Sequence, residues 1–536
     1  MSKIKNILFI MADQLRWDYL SCYGHPHLKT PNIDRLAERG VRFDRAYVQS
    51  PVCGPSRASY YTGRTVFSHG ATWNLVPLPI GELTLGDYLR PIGVTTAVVG
   101  KTHMIPDQEG MARLGLNKST DIGCQISQPG FDPYERDDGL HPDNLLKKKG
   151  GKLRYNDWLR SLGYEGENPW NDYANSGEGP DGEILSGWYL KNSNLPARIR
   201  EEHSETSYMT MRAQEFISEM GEAPWLCHLS FIKPHWPYIA PAPYHDMYGS
   251  ESFLQAHRSP QEKQDPNPVF KAFMDMEVSA TFSQQGVRET VLPAYMGLIK
   301  QIDDHLGKLF DWLEETGRAQ DTMIVFTSDH GDYLGDHWMG EKELFHEESV
   351  RVPLIIYDPR SEADATRGTV SKAFVEAIDL VPTFLEATGA PPAPHRLEGC
   401  SLVPLLRGEP LQNWRTSVFS EIDYAFYAAR ETLQLGASDA RGYMIRTARW
   451  KYVHFKGFPP QLFDLVNDPD EFKDLGRSPD HAAQRQELHA LLLNRLLERK
   501  NRTTMTDEDV TRIRDRENES GIIIGKWEQV EEVSLG

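Results

Sequence analysis

Five short, mostly apolar runs punctuate the chain: Ile7–Ala12, Val94–Val99, Trp225–Phe231, Met323–Ser328 and Val352–Tyr357. Each is strand-length and each gives way at once to polar residues. That pattern predicts buried parallel strands covered on both faces. Helical stretches lie between them, for example Asn32–Arg39 after Thr30-Pro31 and Tyr295–Glu315 before Gly317. Strands alternating with helices predict an α/β fold, a mainly parallel sheet with helices on both faces. Ligands in such folds bind beyond the carboxyl ends of the strands, so the residues just after each run are the ones to inspect.

Residues 107–200 are rich in Gly, Asn, Asp and Pro, with Lys147–Gly151 and Asn175–Gly182 as clear instances. They read as an inserted set of loops, either lying over a site or forming a plain surface excursion. The main domain is expected to span 1–408, closing at Leu405–Gly408. Thr416–Ile422, Gly442–Thr447 and Trp450–Phe455 then predict a short antiparallel sheet, followed by a helix at Ala482–Arg499, giving a smaller domain over 409–500. The segment 501–536 is charged with a late apolar patch, Ile522–Ile524. It is either an arm gripping a neighbouring subunit or a loosely packed tail.

Composition narrows the class of partner. A formal net charge of −19 over 536 residues argues against nucleic acid or an anionic membrane surface, both of which call for a basic face. An anionic substrate must then be drawn in by local cations. The five cysteines, Cys22, Cys53, Cys124, Cys227 and Cys400, are scattered and odd in number, which fits a reducing, cytoplasmic setting better than a disulfide scaffold. The basic start Lys3-Ile4-Lys5 leads into a run that ends at Asp13 without a small-residue cleavage site, so it reads as a core strand rather than a signal peptide. No stretch approaches the ~18 apolar residues of a membrane span.

The strand ends supply the candidate chemistry. The first run leads into Asp13-Gln14, and Met323–Ser328 leads into Asp329-His330. Singly, either Asp reads as a helix cap or turn residue. Jointly they offer carboxylates, an amide oxygen and an imidazole, a donor set for one divalent ion such as calcium or manganese. Three further segments deliver Lys101, His103, His235 and Lys342 to the same edge. A local cation cluster of this kind suits a tetrahedral anionic transition state; the alternative is solvated lysines and satisfied core histidines. His25, His27, His69, His337 and His346 are placed on that structural side. Trp73, Trp236, Trp338 and Tyr238 read as core or as an aromatic pocket.

Cys53-Gly54-Pro55-Ser56-Arg57 spells C-x-P-x-R, followed by Ala58-Ser59-Tyr60-Tyr61-Thr62-Gly63-Arg64. Pro55 suits a first helical turn, so Cys53 is expected near a helix N-terminus, where backbone N–H groups favour an anion. The run resembles the signature of type I sulfatases and the related phosphonate monoester hydrolases of the alkaline phosphatase superfamily. Thr30–Ala37, Gly100–His103, Pro234–Tyr238, Thr327–Asp332, Arg449–Tyr452 and Leu462–Pro469 extend the resemblance over most of the chain. It implies an alkaline-phosphatase-like fold and conversion of Cys53 to formylglycine by a formylglycine-generating enzyme. It places Asp13, Gln14, Asp329, His330 and modified Cys53 on the metal and Arg57 as the group orienting the aldehyde hydrate. Lys101, His103, His235 and Lys342 fall on the sulfate-binding and acid–base positions. Gln14 and His330, with Asn74 as a substrate-binding residue, look like the phosphonate branch, whereas Lys101 and His103 look sulfatase-like.

The function so implied is hydrolysis of sulfate monoesters, with side activity on phosphonate monoesters and phosphodiesters. The reverse preference is the alternative, and an inactive anion-binding relative with unmodified Cys53 is a different class of answer. A homodimer or homotetramer is expected from the apolar patch in the terminal segment.

Overall fold

A computed structural model describes residues 3–514 together with 516, 520–522, 524, 525 and 527. In chain order, the strands that build the main sheet are β1 (Asn6–Asp13), β2 (Val41–Phe43), β3 (Thr95–Gly100), β4 (Asp132–Arg136), β5 (Trp225–Pro234), β6 (Thr322–Thr327), β7 (Leu354–Tyr357) and β8 (Thr369–Ser371). They lie in the order β8-β2-β7-β6-β1-β5-β3-β4. β1 is central, parallel to both β5 and β6. All its residues are buried. The strand period of two explains why: Ile7, Phe9 and Met11 enter one hydrophobic core, while Leu8, Ile10 and Ala12 enter the other. β6 divides its residues the same way, Met323 and Val325 against Ile324 and Phe326. Each fully buried aliphatic or aromatic side chain contributes ~1.5–3 kcal/mol, so these two strands anchor both layers.

The helices that matter here are α1 (Pro31–Arg39), α2 (Cys53–Thr62), α3 (Glu205–Glu219) and α4 (Val287–Glu315). The last begins earlier than its apolar pattern suggested, at Val287, and carries Pro293 inside it at the loss of one intrahelical hydrogen bond. Two expectations are corrected. Val352–Tyr357 is not one parallel strand: Pro353 interrupts it, and β7 runs antiparallel to both β6 and β2. Residues 107–200 are not only loops: Gln108–Arg113, Asp121–Ser127, Asp143–Lys148 and Arg154–Ser161 are helical, and β4 closes the sheet edge beside β3.

A second, antiparallel sheet follows in the order β9 (Ser417–Asp423), β10 (Arg441–Thr447), β11 (Trp450–Phe455), β12 (Gln461–Asp464). One face packs Phe419, Ile445, Tyr452 and Leu462 under Leu488 and Leu492 of the helix Ala482–Leu497. The other face gives Val418, Ile422, Met444 and Val453 to the same core as β1. Buried Lys451 of β11 donates to the carbonyl of Phe345, 2.8 Å away, and so braces the loop that presents Lys342. Of the terminal segment, Asp507–Ile513 is a short helix; Ile523 of the apolar patch and most residues beyond 514 lie outside the described ones.

The turn out of β3 depends on Gly100. Its φ is +109°, and a Cβ there would sit 1.9 Å from the carbonyl oxygen of Ser230 on β5. Gly100→Ala is therefore expected to cost at least ~2 kcal/mol, read as a Tm lowered by several degrees; an unchanged Tm would contradict this packing.

Candidate active site

The carboxyl ends of β1, β3, β5 and β6 and the N-terminus of α2 converge on one buried spot. Cys53 is the first residue of α2, and all ten residues of that helix are buried. Pro55 falls in the first turn, where its missing N–H is no loss. Val52, the residue before the helix, provides no side-chain cap. Asn74 does so instead, its Oδ1 accepting from Gly54 N at 2.7 Å.

Arg57, one turn into α2, holds the strand ends together. Its Nε donates to Asp329 Oδ2 at 2.8 Å and its Nη2 to Asp13 Oδ2 at 2.9 Å. Nη1 donates to the carbonyl of Lys101 and to Ser230 Oγ, both at 2.8 Å. Burial opposes this guanidinium's charge, but Asp329 and Asp13 outweigh it and hold Arg57 protonated. Its recorded bonds thus run to the carboxylates and to two strands, which makes Arg57 a positioning residue.

Asp13, Cys53, Asp329 and His330 each aim a donor atom into one space less than 4.8 Å across. Cys53 Sγ lies 3.0 Å from His330 Nε2. His330 Nδ1 donates to the carbonyl of Gly331 at 2.8 Å, which fixes the ring and turns Nε2 inward. Burial would lower the pKa of His330, yet Asp329 and Cys53 raise it to about 9. The anionic surroundings thus favour positive charge at this spot. Asp13 Oδ1 is buried without a hydrogen-bond partner, as a carboxylate oxygen able to hold a metal would be. Hard oxygens with one imidazole fit calcium or manganese.

Gln14 lies beside these residues, and sequence reasoning missed what orients it. Its φ of +64° is strained backbone for a non-glycine residue. Its Nε2 donates to Asp332 Oδ2 and, at 3.1 Å, to the hydroxyl of Tyr238. Tyr238 in turn donates to Asp332. With the amide nitrogen so engaged, Oε1 faces the site, where Lys342 Nζ reaches it at 3.0 Å. Tyr238 is therefore neither idle core nor pocket lining. Asp332 stood in view, two residues after His330, but nothing local shows that it faces Gln14.

The basic residues gather around Cys53. Lys101 Nζ pairs with Asp13 Oδ2 at 2.6 Å. His103, at φ +52°, is held by its backbone N–H donating to Asp138 Oδ1 at 2.9 Å, and its Nδ1 is buried without a partner. His235 Nδ1 donates to the carbonyl of Trp236 at 2.8 Å, and Nε2 accepts from Lys342 Nζ at 3.3 Å. Burial and Lys101 lower the pKa of His235 to about 3. Burial also opposes charge on Lys342, but Cys53, Glu341 and Asp13 hold it protonated well above its ordinary value. Burial would raise the Cys53 thiol, and Lys342, His330 and Lys101 instead bring it well below the usual range. All eleven candidate residues thus meet in one place. His69 does not join them: it pairs with Ser59 Oγ at 3.0 Å and accepts from Ala71 N, a satisfied core histidine.

The sulfatase family profile matches residues 5–390, and that of the N-sulphoglucosamine sulphohydrolase C-terminal region matches 335–499. The multifunctional alkaline phosphatase superfamily protein PehA of Trinickia caryophylli is 34% identical over 500 residues, covering 89% of this chain and 92% of its own. An arylsulfatase of Clostridium perfringens is 27% identical over 512 residues, covering 92% and 94%. The phosphonate monoester hydrolase of Agrobacterium radiobacter superposes with a TM-score of 0.81 at 30% identity, covering 94% of this chain and 99% of that one. The chain belongs to the sulfatase family, enzymes that hydrolyse sulfuric esters.

Proposed function

We propose that the protein is a metal- and formylglycine-dependent hydrolase of sulfate monoesters, with side activity on phosphonate monoesters and phosphodiesters. The observation that carries this reading is the ring of Lys101, His103, His235 and Lys342 around Cys53, next to an anionic pocket with an orphaned carboxylate oxygen. A hydrated aldehyde at position 53 supplies a hydroxyl nucleophile, and a divalent ion held by Asp13, Gln14, Asp329 and His330 would lower that hydroxyl's pKa. Lys101 and Lys342 bind and balance the charge of the ester's non-bridging oxygens. Lys342 Nζ, held protonated, donates toward the departing ester oxygen, with His235 Nε2 beside it. His103 Nδ1, free of any protein partner, takes up the proton in the step that releases the anion. Cys53 has 0 % exposure, so the formylglycine-generating enzyme must act before the chain folds.

A second reading reverses the preference, and one observation favours it. Gln14 and His330 give the metal a less acidic shell, and two phosphonate monoester hydrolases superpose with TM-scores of 0.81. The test is kcat/KM for an aryl sulfate and an aryl phosphonate monoester with one leaving group, on protein carrying the aldehyde. The expected result favours the sulfate by at least about tenfold, ~1.4 kcal/mol of transition-state binding; a clear preference for the phosphonate inverts the assignment.

The bonds around Gln14 yield a second test that needs no turnover. Asp332→Ala removes the acceptor that fixes the amide, and Mn2+ affinity measured by calorimetry is expected to fall ~10–100-fold. Unchanged affinity would mean that Gln14 is not a ligand held in this way.

A further inference from the structure

Glu341, the residue just before Lys342, has no part in the chemistry described above, yet its backbone is held at a φ of +66°, a region that favours glycine. Gln14 and His103 lie in the same region, and each turns its side chain to the site. Glu341 has little room to relax. Its carbonyl accepts from Tyr333 N at 2.7 Å. On one side, a Cβ on Gly340 would sit 2.5 Å from the ring of Phe282 and 2.9 Å from the carbonyl of Val278. On the other, the Lys342 carbonyl accepts from Ser349 Oγ, and Lys342 N donates to Glu343 Oε2 at 3.0 Å. Backbone strain kept under this much restraint points to a use for the side chain.

The strained position delivers a carboxylate. Glu341 Oε2 lies 3.3 Å from Lys342 Nζ, the ammonium that also reaches Gln14 Oε1 at 3.0 Å and His235 Nε2 at 3.3 Å. Burial opposes charge on Lys342, and Cys53 and then Glu341 overcome it. Burial and Glu341 also raise Asp332, the acceptor of the Gln14 amide, to about 6. Glu343 plays a different part: its Oε2 accepts from the Lys342 backbone, and burial and Glu341 push its pKa up to about 8. An ester oxygen that accepts from Lys342 Nζ lies no more than about 6 Å from the Glu341 carboxylate. At that range a fixed negative charge repels each negative charge on the ester. Sulfate monoesters, phosphonate monoesters and phosphodiesters carry one such charge. A phosphate monoester carries nearly two at neutral pH, its second pKa being ~6. We infer that Glu341 is a specificity-determining residue that admits singly charged esters and disfavours doubly charged phosphate monoesters. The inference rests on the ester-hydrolase reading, which places the ester's oxygens at Lys342.

Phenyl sulfate and phenyl phosphate match in shape and differ by one charge. The test is their binding at neutral pH to full-length protein bearing Cys53→Ala, measured by calorimetry with Glu341 present and replaced. Glu341→Gln is expected to shift the ratio of the two affinities at least about tenfold toward the phosphate. Glu341→Gly, which suits the +66° backbone, should give the same shift, so the result is readable even if the Gln variant folds poorly. A ratio that does not move, whether both affinities fall together or neither changes, overturns the assignment and leaves Glu341 a structural partner of Lys342. Failure of both esters to bind overturns it too. Turnover by the aldehyde-bearing enzyme separates the two claims. A shifted ratio without hydrolysis of either ester would keep the role of Glu341 and remove the ester-hydrolase reading. Hydrolysis with an unmoved ratio would keep that reading and remove the role of Glu341.

Discussion

The buried guanidinium of Arg57 is the interaction on which the rest of the site depends. It reaches Asp13 at the end of β1, Asp329 just past β6, the Lys101 carbonyl just past β3 and Ser230 on β5. Four strand ends are thereby drawn to one point. Two carboxylates forced this close repel each other strongly at low local dielectric, and breaking such a buried pair by removing one partner costs ~3–5 kcal/mol. The arrangement is not chosen for stability, since apolar residues of similar volume stabilise as well or better. It fixes the carboxylates with one oxygen of Asp13 left over, which is what a metal requires.

The same logic resolves the contrast between an acidic protein and an anionic substrate. A formal charge of −19 sets a repulsive average field, screened beyond ~8 Å at physiological ionic strength. Within that distance the site has Lys101 paired with Asp13 and Lys342 kept protonated by Cys53, Glu341 and Asp13. Burial and Glu341 push the pKa of Glu343 up to about 8, which weakens its offset of the Lys342 charge. Charge state is thus set residue by residue by burial and immediate neighbours. The strained backbones of Gln14 and His103 belong to the same design, each turning a side chain inward just past a strand and each held by a carboxylate, Asp332 or Asp138.

Much of this was legible in the chain itself. Uninterrupted apolar runs marked β1, β3, β5 and β6 because strands covered on both faces have no polar side, and the residues after them are the site. Pro55 marked the start of α2 because few other helical positions tolerate it. What the sequence could not show is contact across long separations. Asp332 faces Gln14 across 318 residues, and Tyr238 reaches the same carboxylate across 94; neither leaves a periodic or local trace. β7 misled because an apolar run carries no direction. The insertion misled because its Gly and Asn positions mark helix ends and turns between short helices as readily as open loop.

The central claim is that these groups are arranged to serve an oxidised Cys53, and the most direct measurement is the mass of the peptide containing residue 53. It should be taken from protein produced together with a formylglycine-generating enzyme. The account predicts a peptide about 18 Da lighter than the thiol form, appearing in step with sulfate ester hydrolysis. An intact thiol under those conditions, in folded protein that binds its metal, would contradict it and leave an anion-binding relative of the enzymes it resembles.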